Sequence, residues 1–216
     1  MLITKISEPK RHPNRRRIYL DGALAFTCKL NVVARFRLRE GMTLTDEQLS
    51  TIQQGQVRQE CFDQAMQYLK LRLHSRFELR TKLLKREYGV SMVEEVLNQL
   101  AEQGYVGDEQ FARARAQSAC RNKHYGRDRV RQDLLNKGVK DEVVNRVLDE
   151  IYTPTHDAAT VQLLVAKHAA RLRKLDPSVA RRRLMGMLQR RGFDEDTVRR
   201  SVVESLGNEA TWPVDD

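Results

Sequence analysis

Between residues 75 and 206 the chain repeats itself, and this repetition restricts the fold more than any other feature. In SRFELRTKLLKREYG, Leu79 and Leu83 stand four apart, and SMVEEVLNQL follows with Val93, Val96, Leu97 and Leu100 at i, i+3, i+4, i+7. Each stretch therefore gathers its apolar residues on one helical stripe. GRDRVRQDLLNKGV and DEVVNRVLDEI restate the pattern: Val130 and Leu134 lie 51 residues after Leu79 and Leu83, and Val144, Val147, Leu148 and Ile151 lie 51 after the second set. In a third copy, DPSVARRRLMGMLQRRGF and DEDTVRRSVVESL, Leu184 and Leu188 lie 54 residues after Val130 and Leu134, and Val198, Val202 and Leu206 follow. This copy has drifted, since Ser201 stands where Val96 and Val147 do. Helical periodicity inside a long repeat predicts units that stack to bury their stripes.

Start and stop signals divide each copy. Ser75 with Glu78 and Ser91 with Glu94 have the spacing of capping boxes, and Asp176 precedes Pro177 at a helix start. Gly89, Gly138 and Gly192 each follow a basic amphipathic stretch, where a left-handed residue ends a helix. Three helices per copy are expected, the first ones over residues 62–73, 111–121 and 158–173. One such unit has little core of its own, so the copies should form an elongated, curved array with a long surface suited to following another macromolecule.

Upstream the apolar period changes to two. Leu2, Ile3 and Ile6, then Ile18, Tyr19 and Leu20, then residues 23–26 read as strands. Asp21-Gly22 supplies the positive φ angles of a tight hairpin, so 17–20 should pair with 23–27, with 2–7 as a third strand. Residues 29–36 read as a short helix, Gly41 as a breaker, and Thr45 with Gln48 as a capping box opening a helix through Gln54. Gly55 and Gln56 are expected to form a hinge. The predicted fold is mainly α: a small β-hairpin and helix unit over 1–56, three-helix repeats over 57–105, 106–153 and 154–207, and a tail over 208–216.

Charge and residue usage restrict the function. Residues 1–60 hold eleven basic and six acidic residues, 61–152 seventeen and fourteen, and 153–216 eleven and nine. The net charge of +10 is thus spread along the chain rather than held in a tail, which suits extended contact with a polyanion, or a solvated helical surface. Cys28, Cys61 and Cys120 are far apart and show no CxxC spacing, so neither a disulfide nor zinc is expected. Cys120 with His124 has the i, i+4 spacing of half a metal site, with no second pair beside it. His74, His124, His156 and His168 have no Ser, Cys or Asp partner at a catalytic spacing, and no GxxxxGK[ST] loop is present. No enzymatic activity and no cofactor are expected. No apolar run reaches the length of a signal peptide or membrane span, which predicts a cytoplasmic protein. Asp194, Glu195 and Asp196 fall at a helix start, where they complement the dipole. Tyr105 and Phe111 flank Asp108, which is expected to cap the helix near Glu109, and both aromatics read as core. Trp212 to Asp216 reads as a frayed tail.

The cations recur with the repeat. Arg76, Arg80, Lys82, Lys85 and Arg86 surround Leu79 and Leu83, and Arg127, Arg129 and Arg131 surround Val130 and Leu134. Arg181, Arg183 and Arg190 belong to an arginine-dense third copy. These are the candidate binding residues, with contact to acidic protein surfaces or DNA phosphates as one use and solvation as the other.

The junction LAEQGYVGDEQFARARAQ from Leu100 to Gln117, with SRFELRTKLLKR before it and GRDRVRQDLLNKGV after it, resembles the RecX family of regulators of bacterial recombination. IYLDGALAF resembles the N-terminal extension of the longer members. The likeness runs from Cys61 to Leu206, and its specificity lies in the ordered combination of stretches. The resemblance implies a protein that lies in the helical groove of the RecA nucleoprotein filament. There it would limit ATP hydrolysis, strand exchange and repressor cleavage, in recombination, DNA repair and the SOS response. The resulting expectation is a monomer whose main partner is the RecA filament, with single- and double-stranded DNA as weaker partners. Arg80, Lys82, Arg127, Arg131 and Arg183 lead its contacts. The charge also permits a DNA-binding module acting without RecA.

Overall fold

The computed structural model describes residues 1–172 and 175–206, so Arg173 and the tail at Trp212 lie outside the described residues. Three strands, β1 (Ile3–Ser7), β2 (Arg15–Leu20) and β3 (Ala23–Lys29), form an antiparallel sheet in that order. The hairpin turns where expected, with Asp21 at φ 49° and Gly22 at φ 86°. Ile3, Ile18 and Leu20 face inward with Cys28, against Val32 of α1 (Leu30–Arg35) and Ile52 of α2 (Asp46–Leu71). Leu38 and Leu44, from the segment between the two helices, complete this core.

The hinge expected at Gly55 and Gln56 is absent: α2 runs unbroken for 26 residues through both, and takes the place of separate helices ending at Gln54 and opening at Phe62. Its start is the predicted capping box, Thr45 accepting from Gln48 N while Gln48 Oε1 accepts from Thr45 N. Gly55 is a packing residue, because a Cβ there would run into the Phe36 ring. Gln56 accepts from Lys29 N at 2.9 Å and donates to Glu60 at 2.6 Å, tying the end of the sheet to the helix.

The remaining helices are α3 (Arg76–Leu84), α4 (Val90–Glu102), α5 (Asp108–Lys123), α6 (Arg127–Asn136), α7 (Asp141–Ile151), α8 (Pro154–Leu172), α9 (Pro177–Arg190) and α10 (Glu195–Leu206). The architecture is mainly α, a small antiparallel sheet followed by tandem three-helix units. The chain divides into two compact units, Met1–Arg72 with Leu79–Tyr105, and Leu73–Glu78 with Val106 onward. In the first unit Leu79, Leu83, Val93, Val96, Leu97 and Leu100 are wholly buried. In the second, Val130, Leu134, Val144, Val147 and Leu148 join Phe111 in one core, and Leu184, Leu188, Val198 and Val202 join Val161 and Leu164 in another. Ser201 is buried at the place of Val96 and Val147.

Several local signals act differently from expectation. Gly138 and Gly192 are left-handed, at φ 73° and 83°. Gly89 is extended and caps α4, and the left-handed residue in that copy is Glu87, at φ 65°, 51 residues before Gly138. With Gly89 at the cap, Ser91 lies inside the helix, so the expected capping box with Glu94 does not form. The third copy opens at Pro154, four residues before Ala158, because Thr153 caps it: His156 N donates to Thr153 Oγ1, and Pro154 needs no partner in the first turn. Asp108 does not cap its own helix, whose cap is Gly107; its Oδ1 accepts from Arg76 N at 2.9 Å and so caps α3. Phe111 is core as expected, but Tyr105 is 49% exposed, and Val106 takes the buried place beside it.

Candidate functional site

The predicted cations separate into those that hold the repeats together and those that face solvent. Arg80 donates from Nε to Glu94 Oε1 at 2.6 Å, joining α3 to α4. At the place 51 residues on, Arg131 donates from Nε to Asn145 Oδ1 at 3.4 Å and from a terminal nitrogen to Asp141 at 2.5 Å, joining α6 to α7. The third copy carries Met185 and Arg199 at these places, and Arg199 bonds Glu195 of its own helix instead. Arg127 is paired with Asp149. The Lys82 ammonium lies 4.7 Å from the centroid of the Tyr68 ring, a cation–π distance. Lys85, Arg86, Arg129, Arg183 and Arg190 are exposed, while Arg76 and Arg181 are half-buried. Arg80, Lys82, Lys85 and Arg86 belong to the first unit; Arg76, Arg127, Arg129, Arg131, Arg181, Arg183 and Arg190 belong to the second.

Within the second unit, basic helices meet end to end, and the meeting is built from repeat-equivalent residues. A helix start offers unpaired N–H groups and a helix end unpaired carbonyls, so abutting the two satisfies both. At the start of α3, Ser75 Oγ accepts from Glu78 N and donates to Lys137 O, at the end of α6, at 2.6 Å. A Cβ on Gly138 would strike Phe77. At the start of α6, Gly126 N donates to Arg191 O at 2.7 Å and Asp128 N to Gly192 O at 3.1 Å, at the end of α9. Gly126 and Gly192 approach so closely that a Cβ on either would collide with the other segment's backbone.

This second joint assembles cations that are remote in the chain. The Arg129 guanidinium lies 4.1 Å from the centroid of the Tyr125 ring and donates to Arg190 O at 2.6 Å. The Lys123 ammonium lies 5.7 Å from the same centroid, and Arg191 donates to Lys123 O at 2.7 Å. The guanidiniums thereby cap carbonyls at the negative ends of α9 and α5. Each guanidinium has five N–H donors, so one such bond leaves most of the fork available to a carboxylate or phosphate. Lys123, Arg129 and Arg190 are exposed, and among the described residues none of the four cations is ion-paired with a carboxylate; Asp128 stands in the first turn of α6 nearby. Of these residues the sequence singles out Arg129 and Arg190, of which Arg190 contributes its backbone carbonyl, whereas Lys123, Tyr125 and Arg191 complete the cluster, across separations of 61 and 68 residues. The equivalence of Gly192 to Gly138 is the signal in the sequence that marks such a joint.

Cys120 does not pair with His124, which ends α5 in the left-handed region; its Sγ lies 3.2 Å from His156 Nε2 of α8. Burial raises the pKa of the Cys120 thiol, and that of Asp157, beside His156, despite the opposing effect of the imidazole. Among the described residues no three His, Cys, Asp or Glu side chains are arranged to hold a metal ion, and no helix is long and apolar enough to cross a membrane.

Four family models match consecutive segments: the RecX regulatory protein N-terminal domain over residues 1–45, and the first, second and third RecX three-helix domains over 61–100, 108–148 and 157–202. The chain is similar to the Regulatory protein RecX of Bacillus velezensis, at 30% identity over 94% of this chain and 77% of that protein. The Bacillus subtilis protein of that name is 29% identical over 91% and 74%, and that of Listeria innocua 27% over 95% and 76%. A crystal structure of regulatory protein RecX matches with a TM-score of 0.77 at 25% identity, covering 95% of this chain and 98% of that one. RecX from Lactobacillus salivarius shares the fold at a TM-score of 0.63 and 20% identity, over 68% of this chain and 95% of its own.

Proposed function

The chain belongs to the RecX family of regulatory proteins, and from that premise we propose that it binds the RecA nucleoprotein filament and restrains ATP hydrolysis, strand exchange and repressor cleavage. The observation that carries this reading is the cation cluster at the α6–α9 joint, where the exposed Lys123 and Arg129 share the Tyr125 ring and, among the described residues, neither has a paired carboxylate. Such a cluster suits acidic side chains or DNA phosphates on a filament surface. Lys85, Arg86, Arg183 and Arg190 offer further exposed charge. Arg80, Arg127 and Arg131 act first as clasps between helices and only then as contacts. The protein acts as a cytoplasmic, non-enzymatic monomer whose repeats over 57–105, 106–153 and 154–207 are its binding units, with free DNA as a weaker partner.

The test is single-stranded-DNA-dependent ATP hydrolysis by RecA from the same organism, with this protein titrated from sub-stoichiometric to equimolar ratios. The rate is expected to fall, and to recover as salt is raised, because exposed charges are screened over about 8–10 Å at 0.1–0.15 M ionic strength. A Lys123→Glu, Arg190→Glu double variant should lose the effect at an unchanged melting temperature. Charge reversal at Arg80 or Arg131 discriminates less well, since it also breaks a clasp. A RecA rate unaffected by the wild-type protein sinks the proposal.

A further inference from the structure

The three strands contain 18 residues, among them five cations, Lys5, Arg15, Arg16, Arg17 and Lys29, and no carboxylate. Their register sorts these residues by face. Ile18 pairs with Ile6 and Phe26 on the side of the core, whereas Tyr19 pairs with Lys5 and Leu24, and Arg17 with Ser7 and Thr27, on the opposite side. Among the described residues no buried cluster covers that opposite side: Leu24 is 54% exposed, Lys5 and Arg17 are exposed, and Tyr19 is half-buried. At one end of the face, Arg15 and Lys29 are neutralised by Glu60 and Asp63 of α2. Lys5 and Arg17, by contrast, form no ion pair among the described residues. Lys10 and Arg11, exposed in the β1–β2 connection, add positive charge.

An outward tyrosine stands on the central strand of a small sheet, flanked by exposed cations and an exposed leucine. It has the make-up of a stacking platform: the ring takes the face of a base, the leucine packs against it, and the cations take the phosphates on either side. Stacking needs an unpaired base, which a duplex does not offer.

We propose that the open face of the N-terminal sheet, centred on Tyr19 with Lys5, Arg17 and Leu24, binds single-stranded nucleic acid without sequence preference. The site shares no residue with the α6–α9 joint; its ligand class rests on the free-DNA binding proposed above, and because its test omits RecA, its failure and that of the filament reading are distinguishable.

The experiment is fluorescence anisotropy of a fluorescein-labelled 20-nucleotide oligothymidylate with the full chain at fixed salt. Photocross-linking of the same oligonucleotide carrying 5-iododeoxyuridine accompanies it. Tyr19→Ala is expected to weaken binding about tenfold, in line with one lost base stack, and Tyr19→Phe by less than about twofold. Arg17→Glu should both weaken binding and flatten its salt dependence. The cross-linked tryptic peptide should be the one spanning residues 18–29. Wild-type affinity in Tyr19→Ala at an unchanged melting temperature would overturn the proposal. Adducts confined to helical peptides of the wild-type protein would do so too, and that result needs no variant to fold. Undiminished cross-linking in the presence of polyglutamate supports nucleic acid as the occupant; displacement at equal charge concentration would assign the face to an acidic protein segment instead.

Discussion

Replacing Gly192 with alanine tests whether the end-to-end joint between α9 and α6 holds the second unit together. Two costs add. Gly192 sits at φ 83°, a conformation that costs an L-residue roughly 1–2 kcal/mol. The added Cβ would also meet the Arg129 backbone, which cannot swing aside as a flexible side chain would. Forcing the segments apart strains three bonds: Gly126 N to Arg191 O, Asp128 N to Gly192 O, and Arg129 to Arg190 O. At about 1 kcal/mol each, loss of two or three brings the expected total to about 3–5 kcal/mol. Gly104→Ala is the matched control, because Gly104 is also left-handed, at φ 74°, but has open space where its Cβ would stand; it should cost only about 1–2 kcal/mol. Urea unfolding of the full chain gives the difference in stability. Native-state hydrogen exchange gives its location, since the Gly126 and Asp128 amides should lose protection in Gly192→Ala and keep it in Gly104→Ala. The variant should also bind polyanions less well, because the joint assembles Lys123, Arg129 and Arg191. If Gly192→Ala costs no more than Gly104→Ala and both amides stay protected, the joint is not a structural determinant and this reasoning is wrong.

Other perturbations bear on single interactions. Ser75→Ala removes the hydroxyl that caps α3 and bonds Lys137 O from a wholly buried position; a loss of about 1–2 kcal/mol is expected in urea unfolding, and a loss below about 0.3 kcal/mol would contradict it. A double-mutant cycle on Arg80 and Glu94, both more than a third exposed, should give a coupling below about 1 kcal/mol despite the 2.6 Å contact. Burial raises the Cys28 and Cys61 thiols to about 11 and also raises Cys120, so a disulfide reagent at pH 8 should titrate all three only after unfolding; rapid reaction of any one in the native protein would contradict its burial. Burial raises the carboxyl of Asp157, so the folded state holds that proton more tightly than the unfolded chain does. Stability therefore falls as pH rises from the ordinary aspartate range through the raised value, and the cost is complete above it. Asp157→Asn should accordingly raise the melting temperature at pH 7, with the gain vanishing below the ordinary aspartate range; a lower melting temperature at pH 7 would refute the burial argument.

Much of the helical part was legible because apolar spacing and burial obey the same period. Leu79, Val130 and Leu184 fall at equivalent places of the repeat, and all three are buried core residues of their units. Asp21-Gly22 announced its hairpin because few dipeptides tolerate two positive φ angles in succession. A glycine or a cap is ambiguous when taken alone. Gly55 looked like a hinge, yet it lies mid-helix beneath Phe36. Gly89 looked like a helix end, yet it opens the next helix while Glu87 takes the left-handed place. The bare residue type does not say whether conformational freedom or missing volume is in use.

The same division applies to the candidate site. The sequence by itself determined the repeat, its buried stripes and the recurrence of arginines around them, because these depend only on the period of a helix. Which arginines remain available was decided by tertiary structure, because an ion pair depends on what the neighbouring helix presents: Glu94 claims Arg80, Asp141 claims Arg131, and Asp149 claims Arg127. Arg191 joins Lys123, Tyr125 and Arg129 only because two glycine-lined helix ends abut. No local pattern encodes that meeting, since the close approach depends on complementary backbone from segments more than sixty residues apart.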